Sequence, residues 1–298
     1  MPIRSKILVT GASGMLGRVL CRQLVPFYEV VGISKTGREG TIACDISNAP
    51  ALSSFFEANK PDLVINLAAY SDVDGCERDP KLAHDSNSLA VKYLADICGR
   101  RGVPLIHVST DYVFDGRRKM PYTEADPTGP VNIYGLTKLE GEFYASRCQS
   151  SSVIVRTSWL FGPGNPANFV NAITACLRKE SAVEVLDDQI DAPTGAADLS
   201  MAIQKIIERL LSLKGKKAAC EIYHICNSGS TTRYDMTVKI KEILGLKQVK
   251  VLKAGRDSIK GRLAVRPAYV VMSNRHFEKT FGVTLRPWEE SLREYLLR

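Results

Sequence analysis

The sequence of 298 residues predicts an α/β fold, a doubly wound parallel sheet with a smaller C-terminal lobe, and three observations carry that prediction. Short β-branched runs alternate with longer helical patterns as far as Trp159. The runs are continuously apolar rather than alternating, as parallel strands covered on both faces must be. A glycine-rich turn, Gly11 to Gly17, joins the first run directly to the first helix. In a doubly wound sheet that junction faces the ligand crevice outside the carboxyl ends of the strands.

The elements follow in order. Strands are expected at Lys6–Thr10, Glu29–Ile33, Thr41–Cys44, Leu63–Asn66, Leu105–Ser109 and Val153–Thr157, with helices at Gly14–Leu24, Ala49–Asn59, Leu82–Gly99 and Tyr134–Arg147. Right-handed crossovers give them a Rossmann-type arrangement. After Trp159 the rhythm breaks into loop-rich stretches, Phe161–Asn168 and Asp187–Thr194, between helices near Asn168–Lys179, Ala197–Leu213, Arg233–Leu244 and Pro287–Leu297. Residues 1–160 are therefore expected to form a dinucleotide-binding domain and 161–298 mainly a substrate-binding lobe, with some segments returning to the first domain. Neither an internal repeat nor a Gly/Ser/Pro-rich linker interrupts the chain.

Composition narrows the function classes. With 45% hydrophobic residues and no compositional bias, the chain suits an ordinary globular protein, and no apolar run approaches the roughly 18–20 residues that span a bilayer. A cytoplasmic protein without membrane partners is expected. The eight cysteines form no C-x-x-C pair and the four histidines stand apart, so reduced thiols and no metal site are expected. The net charge is +8, and Lys247, Lys250, Lys253, Arg256, Lys260, Arg262 and Arg266 gather in the last fifth of the chain. Few aromatics interleave with them, which argues against nucleic acid and leaves a solvated face or a patch toward a phosphorylated ligand.

The glycine turn has the spacing G-x-x-G-x-x-G, and Gly11, Ser13, Gly14, Met15, Leu16 and Gly17 would cradle a dinucleotide diphosphate on backbone amides and the helix N-terminus. An acidic residue ending the second strand would grip a ribose 2′-hydroxyl. Here Ser34 and Lys35 stand there with Arg38 nearby, so NADPH is favoured and NADH is left open. Asp45 and Ile46 would border the adenine. Leu67, Ala68 and Ala69 offer small residues where the dinucleotide must pass, although close packing explains the alanines as well.

Tyr134 and Lys138 lie four residues apart, on one face of a helix. A phenol with an ordinary pKa of about 10 transfers protons reluctantly at neutral pH, and a neighbouring ammonium is expected to move it toward the working range. Thr110, at the end of the fifth strand, can bond both the phenol and a substrate carbonyl oxygen. These three are the candidate catalytic residues.

With those residues in place, the sequence resembles the extended short-chain dehydrogenase/reductases that act on nucleotide sugars, most of all the dTDP-4-dehydrorhamnose reductase family. The resemblance runs over nearly the whole chain and is most specific in Asn66 to Asp74, His107 to Gly116, Arg156-Thr157-Ser158-Trp159 and Asp188 to Gly195. It implies Tyr134 as proton donor, Lys138 as its partner and nicotinamide-ribose anchor, and Thr110 as the group that tunes the phenol. It also implies hexose contacts from Thr110, Asp111 and Trp159, with Asn168, Gln189 and Arg266 on the substrate side. Arg266-Pro267 matches an Arg-Pro that lies by the nucleotide diphosphate in this family, but Val265 and Tyr269 replace the usual small or polar flanks. The implied reaction is hydride transfer from NAD(P)H to the C4 ketone of dTDP-4-dehydro-L-rhamnose. Related dehydratases carry Glu where this chain has Tyr112, which argues against loss of water. Two alternatives stay open: a reductase or epimerase of another nucleotide-linked 4-keto-6-deoxy sugar, and a non-catalytic subunit resembling the regulatory subunit of methionine adenosyltransferase. A homodimer is also left open.

Overall fold

Strand β1 (Lys6–Thr10) sets the frame. Ile7 and Val9 point to one face and Leu8 to the other, and all three are 0% exposed, so the strand demands a helical layer on each side. The computed structural model, which describes residues 4–213, 216–254 and 261–298, supplies both layers. The first half continues with α1 (Met15–Leu24), β2 (Glu29–Ser34), β3 (Ile42–Ala43), α2 (Ala49–Asn59), β4 (Leu63–Asn66), α3 (Val73–Arg78) and α4 (Pro80–His84). It ends with α5 (Ala90–Arg101), β5 (Leu105–Thr110), α6 (Ile133–Ser146) and β6 (Ser152–Thr157). The expected single helix Leu82–Gly99 is α4 and α5 joined by a π-helical turn, Asp85–Leu89. The wider turn carries Asn87 into the interior.

The second half runs β7 (Leu160–Phe161), α7 (Phe169–Lys179), β8 (Ala182–Leu186), β9 (Ile190–Asp191), β10 (Thr194–Gly195), α8 (Ala196–Ser212) and β11 (Glu221–His224). It closes with β12 (Thr231–Thr232), α9 (Arg233–Ile243), β13 (Lys250–Ala254), α10 (Arg275–Phe281) and α11 (Trp288–Leu296). β11 pairs parallel with β6 and becomes an edge of the main sheet, whose order is β11-β6-β5-β4-β1-β2-β3. All its pairings are parallel, and the direction of winding reverses between β1 and β4. That reversal opens the crevice.

Two apolar layers flank the sheet. Ile7, Val9 and Val155 meet Leu20 of α1, Ile203 and Ile206 of α8, and Phe277 of α10. On the opposite face Leu8, Val64 and Ile154 meet Phe56 of α2 and Leu94 of α5. A third core gathers Phe161, Val170, Val185, Met236, Ile240 and Trp288, drawn from β7, α7, β8, α9 and α11. It stands beyond the carboxyl ends of β5 and β6, over the crevice. Among the described residues no helix is long and apolar enough to cross a membrane. Three members of the basic cluster are committed to carboxylates. Lys253 pairs with Asp187 at 2.6 Å, Arg262 with Asp188 at 2.9 Å and Arg266 with Asp74 at 2.8 Å, while Arg256 and Lys260 lie outside the described residues.

The new edge strand carries a pH-sensitive residue. His224 is fully buried, its Nδ1 lies 3.1 Å from the Tyr122 carbonyl, and burial together with the Arg156 guanidinium pushes its pKa from 6.5 down to about 3. An unfolded chain takes up a proton below pH 6.5 that folded His224 refuses, so this residue costs stability as pH falls from 6.5 toward 3. At pH 5 the loss is about 2 kcal/mol. Urea unfolding of His224→Gln at pH 7 and pH 5 should show a smaller drop than wild type; equal drops would refute the assignment.

Candidate active site

A cavity of about 810 Å³ opens at the carboxyl ends of β1, β2, β4, β5 and β6, within the size range of ligand sites. Its wall extends from Lys35, after β2, to Trp159, after β6. Those ends are four strand spacings apart in the sheet, roughly 19 Å at ~4.8 Å per strand. The space is long enough for two ligands end to end.

One half is built on the glycine turn. Gly11 has φ +64, and a Cβ there would stand 2.7 Å from the Ala68 nitrogen, so only glycine lets β1 turn this close to the loop after β4. Gly14 at the start of α1 provides no side-chain cap, which leaves the first amides of the helix facing the cavity for an anion. Gly11, Ser13, Gly14, Met15, Leu16, Gly17, Leu67, Ala68 and Ala69 all line this stretch. A diphosphate fits it. Farther along lie Ser34, Lys35, Asp45 and Ile46. The Ser34 hydroxyl is engaged by Thr41 at 2.7 Å and by the Gly37 amide at 3.0 Å, whereas the exposed Lys35 ammonium pairs with Asp45 at 3.2 Å. Burial alone would raise Asp45, but hydrogen bonds from Ser47 and Lys35 outweigh it and hold the carboxyl below its usual range.

The middle is built on α6. Asn132 caps the helix by accepting from the Gly135 amide at 2.8 Å, and Gly135 permits close approach to the 3-10 turn Asp111–Val113, since a Cβ there would lie 2.1 Å from the Tyr112 carbonyl oxygen. That contact brings Tyr134 beside Thr110. Lys138, one turn on, is 2% exposed and donates to the Val108 carbonyl at 2.7 Å. Behind it a polar thread crosses the strand ends: Thr10 donates to Asn66 at 2.6 Å, and the Asn66 amide meets His107 at 2.9 Å. Asn87, swung inward by the π-turn, grips Tyr70 through both backbone groups and Thr137 at 3.2 Å. It ties the loop after β4 to the helix of Tyr134. The sequence contains no signal for this clamp, because a π-turn breaks no apolar pattern.

The expectation that Lys138 lowers the phenol needs correcting. Burial pushes Tyr134 above its ordinary value of 10, the Thr110 hydroxyl offsets part of the rise, and Asp111 adds to it. Burial likewise pulls Lys138 down to about 8, against the pull of Glu142. Desolvation exceeds the influence of the neighbouring cation, and the phenol of the free protein is protonated at neutral pH.

The far half faces the lobe. Thr110 donates to Asp111 Oδ1 at 2.8 Å. Asp111 and Asp191 are both buried, burial raises both carboxyls, and the two acids interact with each other, while the Ser158 hydroxyl eases part of the rise at Asp191. One shared proton satisfies the pair. Trp159 carries the uncommon φ of +36, and its buried Nε1 donor is unpaired. Asn168 lines the cavity and also caps α7, accepting from Val170 at 3.0 Å. Gln189 and Arg266 do not line it. Gln189 donates to the Tyr112 hydroxyl at 3.3 Å and to the Pro267 carbonyl at 3.2 Å, behind the wall, and Arg266 is held in a two-point pair by Asp74. Arg233 lines the cavity instead, where the sequence signalled only the start of a helix.

A doubly wound sheet with a glycine turn at β1, Thr110 ending β5 and Tyr134/Lys138 opening α6 defines an extended short-chain dehydrogenase/reductase. Comparison with known proteins narrows the class. The RmlD substrate binding domain family matches residues 5–298, and the chain belongs to it. It is 36% identical to the dTDP-4-dehydrorhamnose reductase of Mycolicibacterium smegmatis over 97% of this chain and 84% of that one. It is also 36% identical to the spore coat polysaccharide biosynthesis protein SpsK of Bacillus subtilis strain 168, over 98% of this chain and 97% of that one. A crystal structure of dTDP-4-dehydrorhamnose reductase from Bacillus anthracis in complex with NADP superposes with TM-score 0.89 at 29% identity, covering 99% of both chains.

Proposed function

We propose that this chain uses NADPH to reduce the C4 ketone of dTDP-4-dehydro-L-rhamnose, giving dTDP-L-rhamnose. The observation that carries the reading is the meeting of Tyr134, Thr110 and Lys138 midway along a cavity that has an anion-binding helix start on one side and the lobe on the other. Relatives named for this reaction match the chain over nearly its whole length.

NADPH, bound, supplies the hydride. The turn Gly11 to Gly17 holds its diphosphate, Lys35 meets the 2′-phosphate, and Lys138 anchors the nicotinamide ribose. Tyr134 donates the proton to the C4 oxygen, and its raised pKa keeps that proton available before hydride transfer. In the free protein Thr110 gives its one hydroxyl proton to Asp111; turned to the ketone oxygen, that proton holds it against the phenol. Tyr112 at the position of a dehydratase acid leaves no carboxyl there to eliminate water, and its hydroxyl is occupied by Gln189. The half-buried Trp159 indole presents an apolar wall to the hexose, and its Nε1 is without a partner among the described residues.

The test follows NADPH and NADH absorbance with dTDP-4-dehydro-L-rhamnose. Wild type should consume cofactor stoichiometrically with the ketone and prefer NADPH. Lys35→Asp, which sets a carboxylate against the 2′-phosphate, should cut the NADPH:NADH preference by roughly 10-fold. A wild-type protein that binds NADPH and leaves the ketone untouched defeats the reading, and an unchanged ratio defeats the role given to Lys35.

A further inference from the structure

We infer that Arg233 binds the diphosphate of the nucleotide sugar, its guanidinium held edge-on to the cavity between the rings of Trp159 and Phe169. The inference rests on the reading of the site as one for a nucleotide sugar, and assigns within it the cation that the sequence had assigned to Arg266.

Arg233 owes its place to a strand pairing. β12 runs antiparallel to β9, with Thr231 opposite Asp191 and Thr232 opposite Ile190, so the first residue of α9 emerges beside the cavity wall. The guanidinium carbon lies 4.6 Å from the Trp159 ring centre and 4.5 Å from that of Phe169. Two aromatic faces fix the plane of the group and favour its charge, but they occupy none of its five N–H donors, which project from the edges.

The group is short of partners in a way its neighbours are not. Three cations line the cavity: Lys35 is paired with Asp45, Lys138 donates to the Val108 carbonyl, and Arg233 makes neither a hydrogen bond nor an ion pair among the described residues. Arg262 and Arg266, close by on the lobe side, are each committed to a carboxylate. Asp191 and the Tyr112 hydroxyl lie near enough to favour the Arg233 charge without bonding it. Burial pulls its pKa below the usual arginine value, the mark of a cation that has lost water and gained little in return. Leaving a guanidinium half-buried with its donors free is costly unless a ligand supplies the anion.

The substrate supplies it on that side. In a pyranose, C1 lies across the ring from C4, so a sugar whose C4 faces Tyr134 and Thr110 must send its C1-linked diphosphate away from them. Trp159 lies beside the hexose and carries Arg233 on its ring, one side chain farther out. A guanidinium edge matches two phosphate oxygens at once.

The experiment measures binding of dTDP and of thymidine by calorimetry to wild type, Arg233→Gln and Arg233→Lys, with NADPH binding and thermal melting as controls of folding. Wild type should prefer dTDP to thymidine. Arg233→Gln should lose about 10- to 100-fold in dTDP affinity while thymidine affinity changes less than about threefold, and Arg233→Lys should recover part of the loss. In turnover, Arg233→Gln should raise KM with kcat nearly unchanged. Equal losses for dTDP and thymidine would mean that Arg233 only props Trp159, and an unchanged dTDP affinity, or a wild type that does not bind dTDP, would overturn the inference. If dTDP binding depends on Arg233 but the wild type does not reduce the 4-keto sugar, the reductase reading fails alone.

Discussion

Tyr134→Phe should lower kcat for ketone reduction by roughly two to four orders of magnitude while leaving NADPH binding within about twofold of wild type. The substitution deletes one oxygen and keeps the ring, so the edge contact with Tyr112, with ring centres 5.9 Å apart at 73°, persists. What disappears is the donor. Thr110 has a single hydroxyl proton, given to Asp111 at 2.8 Å in the free protein and needed to hold the ketone oxygen in turnover, and Lys138 donates to the Val108 carbonyl. The other ammonium protons of Lys138 sit one helical turn from the lost hydroxyl, so a slow residual turnover is expected rather than none. The pH profile adds a second readout. Because burial raises Tyr134, wild-type kcat for reduction should stay level through neutral pH, with a first fall near 8 as Lys138 titrates and a second, further into alkali, as the phenol does. In Tyr134→Phe that second fall should vanish with the rate. A variant that keeps more than about a tenth of wild-type kcat would remove Tyr134 from the proton-donor role.

The sheet was legible because its strands are buried on both faces. Lys6–Thr10 and Leu63–Asn66 are uninterrupted apolar runs ending where chemistry begins, and the structure places both strands at those residues. Edge and lobe strands were not. Glu221–His224 has charged or ionisable residues at both ends and too few apolar ones to announce a seventh strand, yet pairing with β6 buries it. β8 and β13 pair across more than sixty residues of sequence, and neither has an apolar period by itself. The residues expected on the cofactor side all line the cavity, because a glycine turn has one backbone solution. On the substrate side, sequence shows which residues are polar but not which are already paired. Asp74 claims Arg266 and Tyr112 claims Gln189, so both stand behind the wall, while among the described residues no carboxylate claims Arg233, which reaches the cavity. The direction of the Tyr134 shift was misjudged for a related reason. A cation four residues away is visible in a sequence, and the loss of water around both groups is not.

Arg156→Met should destabilise the protein by about 3–5 kcal/mol, the largest stability loss expected of any single change near the site. Arg156 on β6 meets Glu142 on α6 through two bonds, Nε to Oε1 at 2.9 Å and NH2 to Oε2 at 2.7 Å, with both side chains 4% exposed. The guanidinium also lies 5.2 Å from the Phe114 ring centre, and one of its nitrogens is 3.4 Å from His224 Nε2. Methionine fills most of that volume but leaves Glu142 buried and uncompensated, which is where the cost arises. Glu142→Leu alone strands the guanidinium in the same way. Because the penalty lies in the unpaired charge, the double variant Arg156→Met/Glu142→Leu should recover most of the loss, and a double-mutant cycle by urea unfolding at pH 7 should give a coupling above about 2 kcal/mol. Glu142 is also the residue that supports the Lys138 ammonium against burial, one turn along the same helix. The double variant should therefore regain stability without regaining the wild-type pH profile, its Lys138 titrating lower still. A coupling below about 1 kcal/mol would show that the pair is incidental to the fold, and a restored pH profile would show that Glu142 does not govern Lys138.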